Sequence, residues 1–313
     1  MTPKTVCVLG GSGFIGRRVV HRLVQMGHEV CVPARDRERA KEQLILLPTS
    51  DVRTANVHDP KQLEAVLKGM DAVINLVGVL NDSPRGAFQR NHVELPRTLA
   101  GLCQRMGIAR LVHISAVNAS LTGTSRYLRS KGEGERIARE AKGLAVTVLR
   151  PGIVFGAGDR FLGLFAKLAA AFPVIPLACA QTRFQPVYVE DVARVVAQCL
   201  AEPQTFGQTY DLCGPKVYTL RELVAYAAMQ VGANPVIIGL PSALGWLQAA
   251  VMEHLPGRLI TRDNLDSMKM DSVSNAPFPG IFGFSPTPLE AVAGQFLGGA
   301  TSRARYDAFR ARR

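Results

Sequence analysis

The sequence predicts an α/β fold: a doubly wound parallel sheet with a smaller, mainly helical C-terminal lobe. Three observations predict it. Short, continuous apolar runs alternate with helical periods from Val6 to Leu149, as expected of strands covered on both faces. The first run passes through a glycine cluster, Gly10-Gly11-Ser12-Gly13-Phe14-Ile15-Gly16, directly into a helical period (Val19, Val20, Leu23, Val24). A hydrophobic content of 47% with 20% charged residues over 313 positions suffices for one large core and a small lobe. The division is expected at 235, with a sheet domain over 1–235, insertions around 151–186, and a lobe with a basic tail over 236–313.

The opening turn has the spacing Gly11-x-Gly13-x-x-Gly16, and Gly10-x-x-Gly13-x-x-Gly16 is the same turn in another register. One glycine makes the turn, Gly13 lets the backbone approach a pyrophosphate, and Gly16 lets helix and strand pack closely. The helix, predicted over 17–26, offers free N–H groups to phosphates. The candidate cofactor residues here are Gly10, Gly13, Phe14, Ile15 and Gly16. A second strand over 28–34 ends in Arg35-Asp36-Arg37. An arginine at this corner accommodates the extra phosphate of NADP, and an acidic residue binds the ribose of NAD. Arg35 arrives first, which favours NADP(H); Asp36 keeps NAD(H) open. The plainer alternative is a solvated loop in which Asp36 begins the next helix.

A third strand is predicted over 52–57, followed by Asp59-Pro60, a favoured N-cap and N1 pair for a helix to 68. The fourth strand, 71–78, ends in Val77 and Gly78, placed for close approach of a cofactor. A helix over 86–106 carries Pro96 as an expected kink. A fifth strand, 110–115, leads through a polar loop to a helix over 127–142, and a sixth strand, 144–149, ends at Arg150-Pro151-Gly152. Tyr127 and Lys131 lie on one face of that helix. An ammonium beside a phenol lowers its pKa, which suits proton transfer at a carbonyl oxygen while a nicotinamide moves hydride. Alone, the spacing more often means an exposed aromatic and a snorkelling lysine.

Gly10-x-x-Gly13-x-x-Gly16, Asp59, Asn91, Tyr127-x-x-x-Lys131 and Arg150-Pro151 together resemble the signatures of the extended or atypical short-chain dehydrogenases/reductases, over residues 5 to about 235. The strings at 125–131, 150–159 and 185–193 resemble one branch, the NAD(P)H-binding accessory subunit of respiratory complex I and its bacterial relatives. The resemblance implies a Rossmann fold, a nicotinamide dinucleotide, and Tyr127, Lys131 and Ser115 as the catalytic set. It also implies cofactor contacts from Asp59, Val77, Gly78, Tyr127, Lys131, Pro151, Gly152 and Val154. Active members carry a Ser or Thr just beyond the first serine after the fifth strand. Here Ala116 and Val117 stand there, and Ser120 would reach in only if its loop folds back. The pattern supports nucleotide binding more firmly than turnover, and that branch is thought to use its nucleotide structurally.

Composition narrows the partners. A net charge of +12 favours acidic ones, such as nucleotide phosphates or anionic lipid. The arginines are mostly scattered and no nucleic-acid module is evident, so nucleic acid is not expected. The six cysteines and six histidines show no metal-ligand spacing, so no metal is expected, and the thiols read as reduced. No apolar run is long enough to span a membrane. The helix 161–172 reads as core or as the wall of a pocket for an apolar substrate. Trp246 lies in an apolar helical period over 241–255, and residues 302–313 carry five arginines against one aspartate. These read either as a membrane-surface or partner-binding lobe, or as a packed helix and a solvated tail. Further helices are expected over 262–271 and 287–296. The expectation is an NADPH-binding accessory or assembly protein of NADH:quinone oxidoreductase or quinone metabolism, cytoplasmic and peripheral on the cytoplasmic face of the inner membrane. The alternatives are an active NADPH-dependent reductase, epimerase or dehydratase using Tyr127 and Lys131, and a nucleotide-sensing regulator.

Overall fold

Apolar side chains without solvent access fix β1 (Thr5–Leu9), in which Val6 to Leu9 are fully buried. The computed structural model describes residues 4–44, 47–254 and 260–298. β1 pairs in parallel with β2 (Glu29–Ala34) on one side and β4 (Ala72–Asn75) on the other. β3 (Ser50–Thr54) extends the sheet beyond β2; β5 (Arg110–Ile114), β6 (Ala145–Pro151) and the strand Thr209–Leu212 extend it beyond β4. All pairings in this seven-stranded sheet are parallel. The strand order reverses between β1 and β4, the switch point where ligands of such sheets bind. The helices α1 (Phe14–Gln25), α2 (Arg37–Leu44), α3 (Pro60–Leu67), α4 (Leu95–Met106) and α5 (Arg126–Arg139) supply the crossovers. One buried cluster joins Leu9, Val73, Leu111 and Val148 of the sheet to Leu63, Leu67, Leu99 and Leu102 of α3 and α4.

The elements differ from expectation where side chains compete with the backbone. The third strand ends at Thr54, because Asn56 makes a turn: its side chain accepts from His58 N at 3.2 Å and its carbonyl from Asp59 N at 3.0 Å. The helix expected over 86–106 is a π-helical segment, Gln89–Glu94, running into α4. Pro96 is the second residue of α4, directly after the π-helical segment.

The chain divides into two units, Met1–Pro151 with Glu190–Leu212, and Gly152–Val189 with Cys213–Arg313. It passes between them three times, whereas the sequence suggested a single cut at 235. The second unit packs helices Leu162–Ala171 and Leu220–Gln230 around Phe155, Ile175, Phe184 and Leu223. It contains a parallel pair, Val174–Leu177 with Val236–Gly239, that the sequence does not reveal. Pro173, Pro176 and Pro235 punctuate both strands and demote them in any pattern-based reading. The helix expected over 287–296 is two short helices, Leu289–Val292 and Gly294–Leu297. The helix with Trp246 spans Ser242–Met252, and Arg262 places its guanidinium 5.2 Å from the Trp246 ring. The basic stretch 302–313 lies outside the described residues. Among those described, no helix is long and apolar enough to cross a membrane.

Candidate functional site

The turn from β1 into α1 needs glycine for steric reasons. Gly10 has φ +78°, and a Cβ there would meet the Leu76 backbone at 3.2 Å. A Cβ on Gly16 would strike the Gly10 carbonyl oxygen, so α1 packs this close to β1 only without one. Gly13 caps α1 with no side-chain hydrogen bond, and no acidic residue lies in the first turn. The N–H groups of Phe14, Ile15 and Gly16 therefore have no intrahelical acceptor and no carboxylate of their own turn to compete with an anion.

At the carboxyl end of β2, Arg35 is exposed. Asp36 turns away to cap α2, accepting from Arg39 N at 3.1 Å, and Arg37 donates to the Val52 carbonyl at 2.9 Å. Burial holds His58 below its usual range, and the charge of Arg35 adds to that. Asp59 serves α3: Oδ1 accepts from Lys61 N at 2.9 Å, and Oδ2 from Gln62 Nε2 at 2.8 Å.

β4 ends in Asn75, whose Oδ1 accepts from Val77 N at 3.2 Å. A Cβ on Gly78 would lie 3.7 Å from His92 Nε2 and 3.9 Å from Lys131 Nζ, so this backbone runs directly past α5. Ser125 caps α5, accepting from Leu128 N at 3.0 Å, and so sets the helix phase that presents Tyr127 and Lys131. Lys131 is buried and donates to the Ile114 carbonyl at 2.6 Å; burial lowers its amine to about 8. Tyr127 meets Phe88 and His92 edge-on, with ring centroids 5.9 and 5.6 Å apart. Burial pushes its phenol up to about 12. The spacing suggested that Lys131 lowers the phenol; the ammonium instead faces the end of β5, and desolvation dominates at Tyr127.

Ser115 follows β5. Its Oγ is buried and has no hydrogen-bond partner among the described residues. Val117 is buried and its N–H donates to Pro151 O at 3.1 Å. The Ser120 hydroxyl lies 3.2 Å from Thr122 Oγ1 in its own loop, so it does not replace the hydroxyl absent at 116 and 117. Gly152 and Val154 belong to the second unit, where Val154 pairs with Val187.

Sequence reasoning missed two histidines. His92, in the π-helical segment, stacks on Phe88 at 5.4 Å and is held neutral, its pKa lowered to about 2 by burial and then by Lys131. His113, on β5, lies with Nδ1 3.3 Å from Asn75 Nδ2 and is lowered to about 3 by the same causes. The available signal was a polar residue inside a fully buried strand, Arg110-Leu111-Val112-His113-Ile114. Among the described residues no cluster of His, Cys, Asp and Glu could hold a metal.

Residues 6–213 match the family model described as the NAD dependent epimerase/dehydratase family. The mouse mitochondrial NADH dehydrogenase [ubiquinone] 1 alpha subcomplex subunit 9 is 31% identical, over 90% of this chain and 77% of its own length. A ceramide reductase of Caulobacter vibrioides is 32% identical, over 75% and 73% respectively. Among solved structures, dTDP-glucose 4,6-dehydratase DesIV of Streptomyces venezuelae, crystallised with NAD, superposes with TM-score 0.75 at 20% identity, over 93% of this chain and 95% of that one. That similarity establishes the fold. The glycine turn, the strand order and these relatives agree: the chain belongs to the NAD dependent epimerase/dehydratase family, within the extended short-chain dehydrogenases/reductases, and is homologous to the complex I subunit.

Proposed function

We propose that this chain binds NADPH as a structural or regulatory nucleotide, in an accessory or assembly protein of a respiratory NADH:quinone oxidoreductase. The observation that carries the nucleotide reading is the α1 N-terminus, cradled by Gly10, Gly13 and Gly16 and capped by no side chain. Exposed Arg35 favours the 2′-phosphate, since Asp36 is committed to α2. When bound, the nucleotide would supply a hydride and a large buried anion. Phe14, Ile15 and Gly16 would hold its pyrophosphate, and Ser115, Tyr127, Lys131 and Pro151 of the same unit would face its nicotinamide half.

One feature favours a structural use: Ala116 and Val117 stand where a substrate-orienting hydroxyl is needed. Loss of one such donor costs about 2.7–4 kcal/mol of transition-state stabilisation. The relatives named as complex I subunits suggest the assembly.

The second unit suits a membrane-proximal position. No charged residue lies between Glu222 and Glu253, and within that stretch Val236, Ile238, Leu244, Trp246, Leu247 and Val251 are exposed. This supports a place at the cytoplasmic face of the inner membrane.

Native electrophoresis of detergent-solubilised membranes tests the reading. The chain is expected to migrate with NADH:quinone oxidoreductase activity; migration only as a free protein would count against it.

A second reading has its own support. The ceramide reductase relative, with Tyr127 and Lys131 retained in helical register, fits an active NADPH-dependent reductase. Substrate-dependent NADPH oxidation abolished by Tyr127→Phe would favour it.

A further inference from the structure

His92 links the loop after β4 to α5. Its Nε2 lies 3.1 Å from Val79 N, immediately after Gly78, and an N–H can only donate, so Nε2 is the acceptor. The neutral ring therefore carries its proton on Nδ1, which donates to Ser130 Oγ at 2.8 Å. Ser130 in turn donates to the Tyr127 carbonyl at 2.8 Å. One directed chain of hydrogen bonds thus runs from the loop after β4 to the first turn of α5.

Backbone packing reinforces the same relationship. A Cβ on Gly134 would strike the His92 carbonyl oxygen, so α5 lies flush against the π-helical segment. Ser130 and Gly134 form the α5 face toward His92, and Tyr127 and Lys131 form the adjacent one. Fixing the first face fixes the rotation of the second. A π-helical turn inside a longer helix is a common device for aiming a functional side chain.

We propose that His92 is a positioning residue of the dinucleotide site, holding the Gly78–Val79 backbone in register with Tyr127 and Lys131. It sets the nicotinamide half of the site and leaves the pyrophosphate half, built on α1, untouched. The inference rests on the dinucleotide reading above.

Calorimetric titration of the full chain with two probes tests it: NADPH, and 2′-phosphoadenosine 5′-diphosphoribose, which lacks the nicotinamide. His92→Phe keeps the ring stacked on Phe88 and removes both hydrogen bonds. It is expected to weaken NADPH about tenfold and the fragment less than twofold. Ser130→Ala breaks one link and should weaken NADPH about threefold, again sparing the fragment. The double variant should bind NADPH no more weakly than His92→Phe alone, because both act through one chain. Unchanged NADPH affinity in both single variants would overturn the proposal, as would equal losses for the two probes. Wild-type protein that binds neither probe would refute the dinucleotide reading itself, and this inference with it.

Discussion

Lys131 on α5 donates a hydrogen bond to the carbonyl oxygen of Ile114, the last residue of β5, at 2.6 Å. The ammonium is therefore anchored to the sheet before any ligand arrives, within 3.9 Å of where a Cβ on Gly78 would lie. Burial holds His92 and His113 neutral, and the charge of this amine adds to it.

Those two histidines predict acid lability. Their folded pKa values, about 2 and about 3, lie below the unfolded value near 6.5. As pH falls below 6.5, the unfolded chain takes up protons that the folded chain refuses. Stability contributed by the two sites is therefore intact above pH 6.5 and lost below it, by about 1.4 kcal/mol per pH unit for each histidine. Thermal melts at pH 7.5, 6 and 5 should show a steep fall, and His113→Gln should lessen the slope by roughly half of this contribution. An unchanged slope in the variant would remove His113 from the explanation.

Lys131 gives the opposite end of the profile. Its folded value of about 8 is depressed from about 10.4, so the penalty for burying its charge is complete below pH 8 and relieved as pH rises towards 10.4. Over that window wild type should gain stability relative to Lys131→Met, on the order of 2–3 kcal/mol. Parallel denaturation curves at pH 7.5 and 9.5 for the two proteins would contradict this.

Arg110 carries stability, not function. Its buried guanidinium donates to the Cys199 carbonyl at 2.6 Å, the Ala145 carbonyl at 2.6 Å and Thr147 Oγ1 at 2.6 Å, and lies 4.3 Å from the Phe206 ring. Burial lowers it to about 10, still charged at neutral pH. Arg110→Met strands several acceptors and should cost about 2–4 kcal/mol of unfolding free energy while leaving NADPH affinity unchanged at low temperature. Chemical denaturation and calorimetry would measure the two effects separately.

Arg35 governs the choice of nucleotide in this account. Arg35→Ala should weaken NADPH about tenfold or more and NADH less than twofold, as expected for loss of a charge-assisted contact to one phosphate. Equal effects on both nucleotides would remove Arg35 from recognition of the 2′-phosphate.

Most of the sheet was legible in the sequence because β1, β2, β4 and β6 are short, mainly apolar runs in a regular alternation with helices, and the glycines of residues 10–16 announce a turn that no other residue type can make. Two kinds of feature were not legible. Asn56 and the π-helical turn Gln89–Glu94 move element boundaries through local hydrogen bonds that hydrophobic periodicity does not record. Pro176 interrupts the strand Val174–Leu177, Pro235 stands directly before Val236–Gly239, and the two pair across a long sequence separation. At the site, Tyr127 and Lys131 stand out by spacing, but the direction of the Tyr127 shift depends on burial, which spacing cannot give. His92 belongs to none of the strings singled out, and only the fold brings it within 2.8 Å of Ser130.

The central claim is that the uncapped N-terminus of α1 holds a dinucleotide. Calorimetric titration of the full chain with NADPH and NADH, beside a Gly13→Asp variant, tests it most directly. The account predicts micromolar or tighter binding of NADPH, weaker binding of NADH, and loss of both in Gly13→Asp with the fold retained by circular dichroism. Wild-type protein that binds neither nucleotide, or a Gly13→Asp variant that binds as well as wild type, would contradict it.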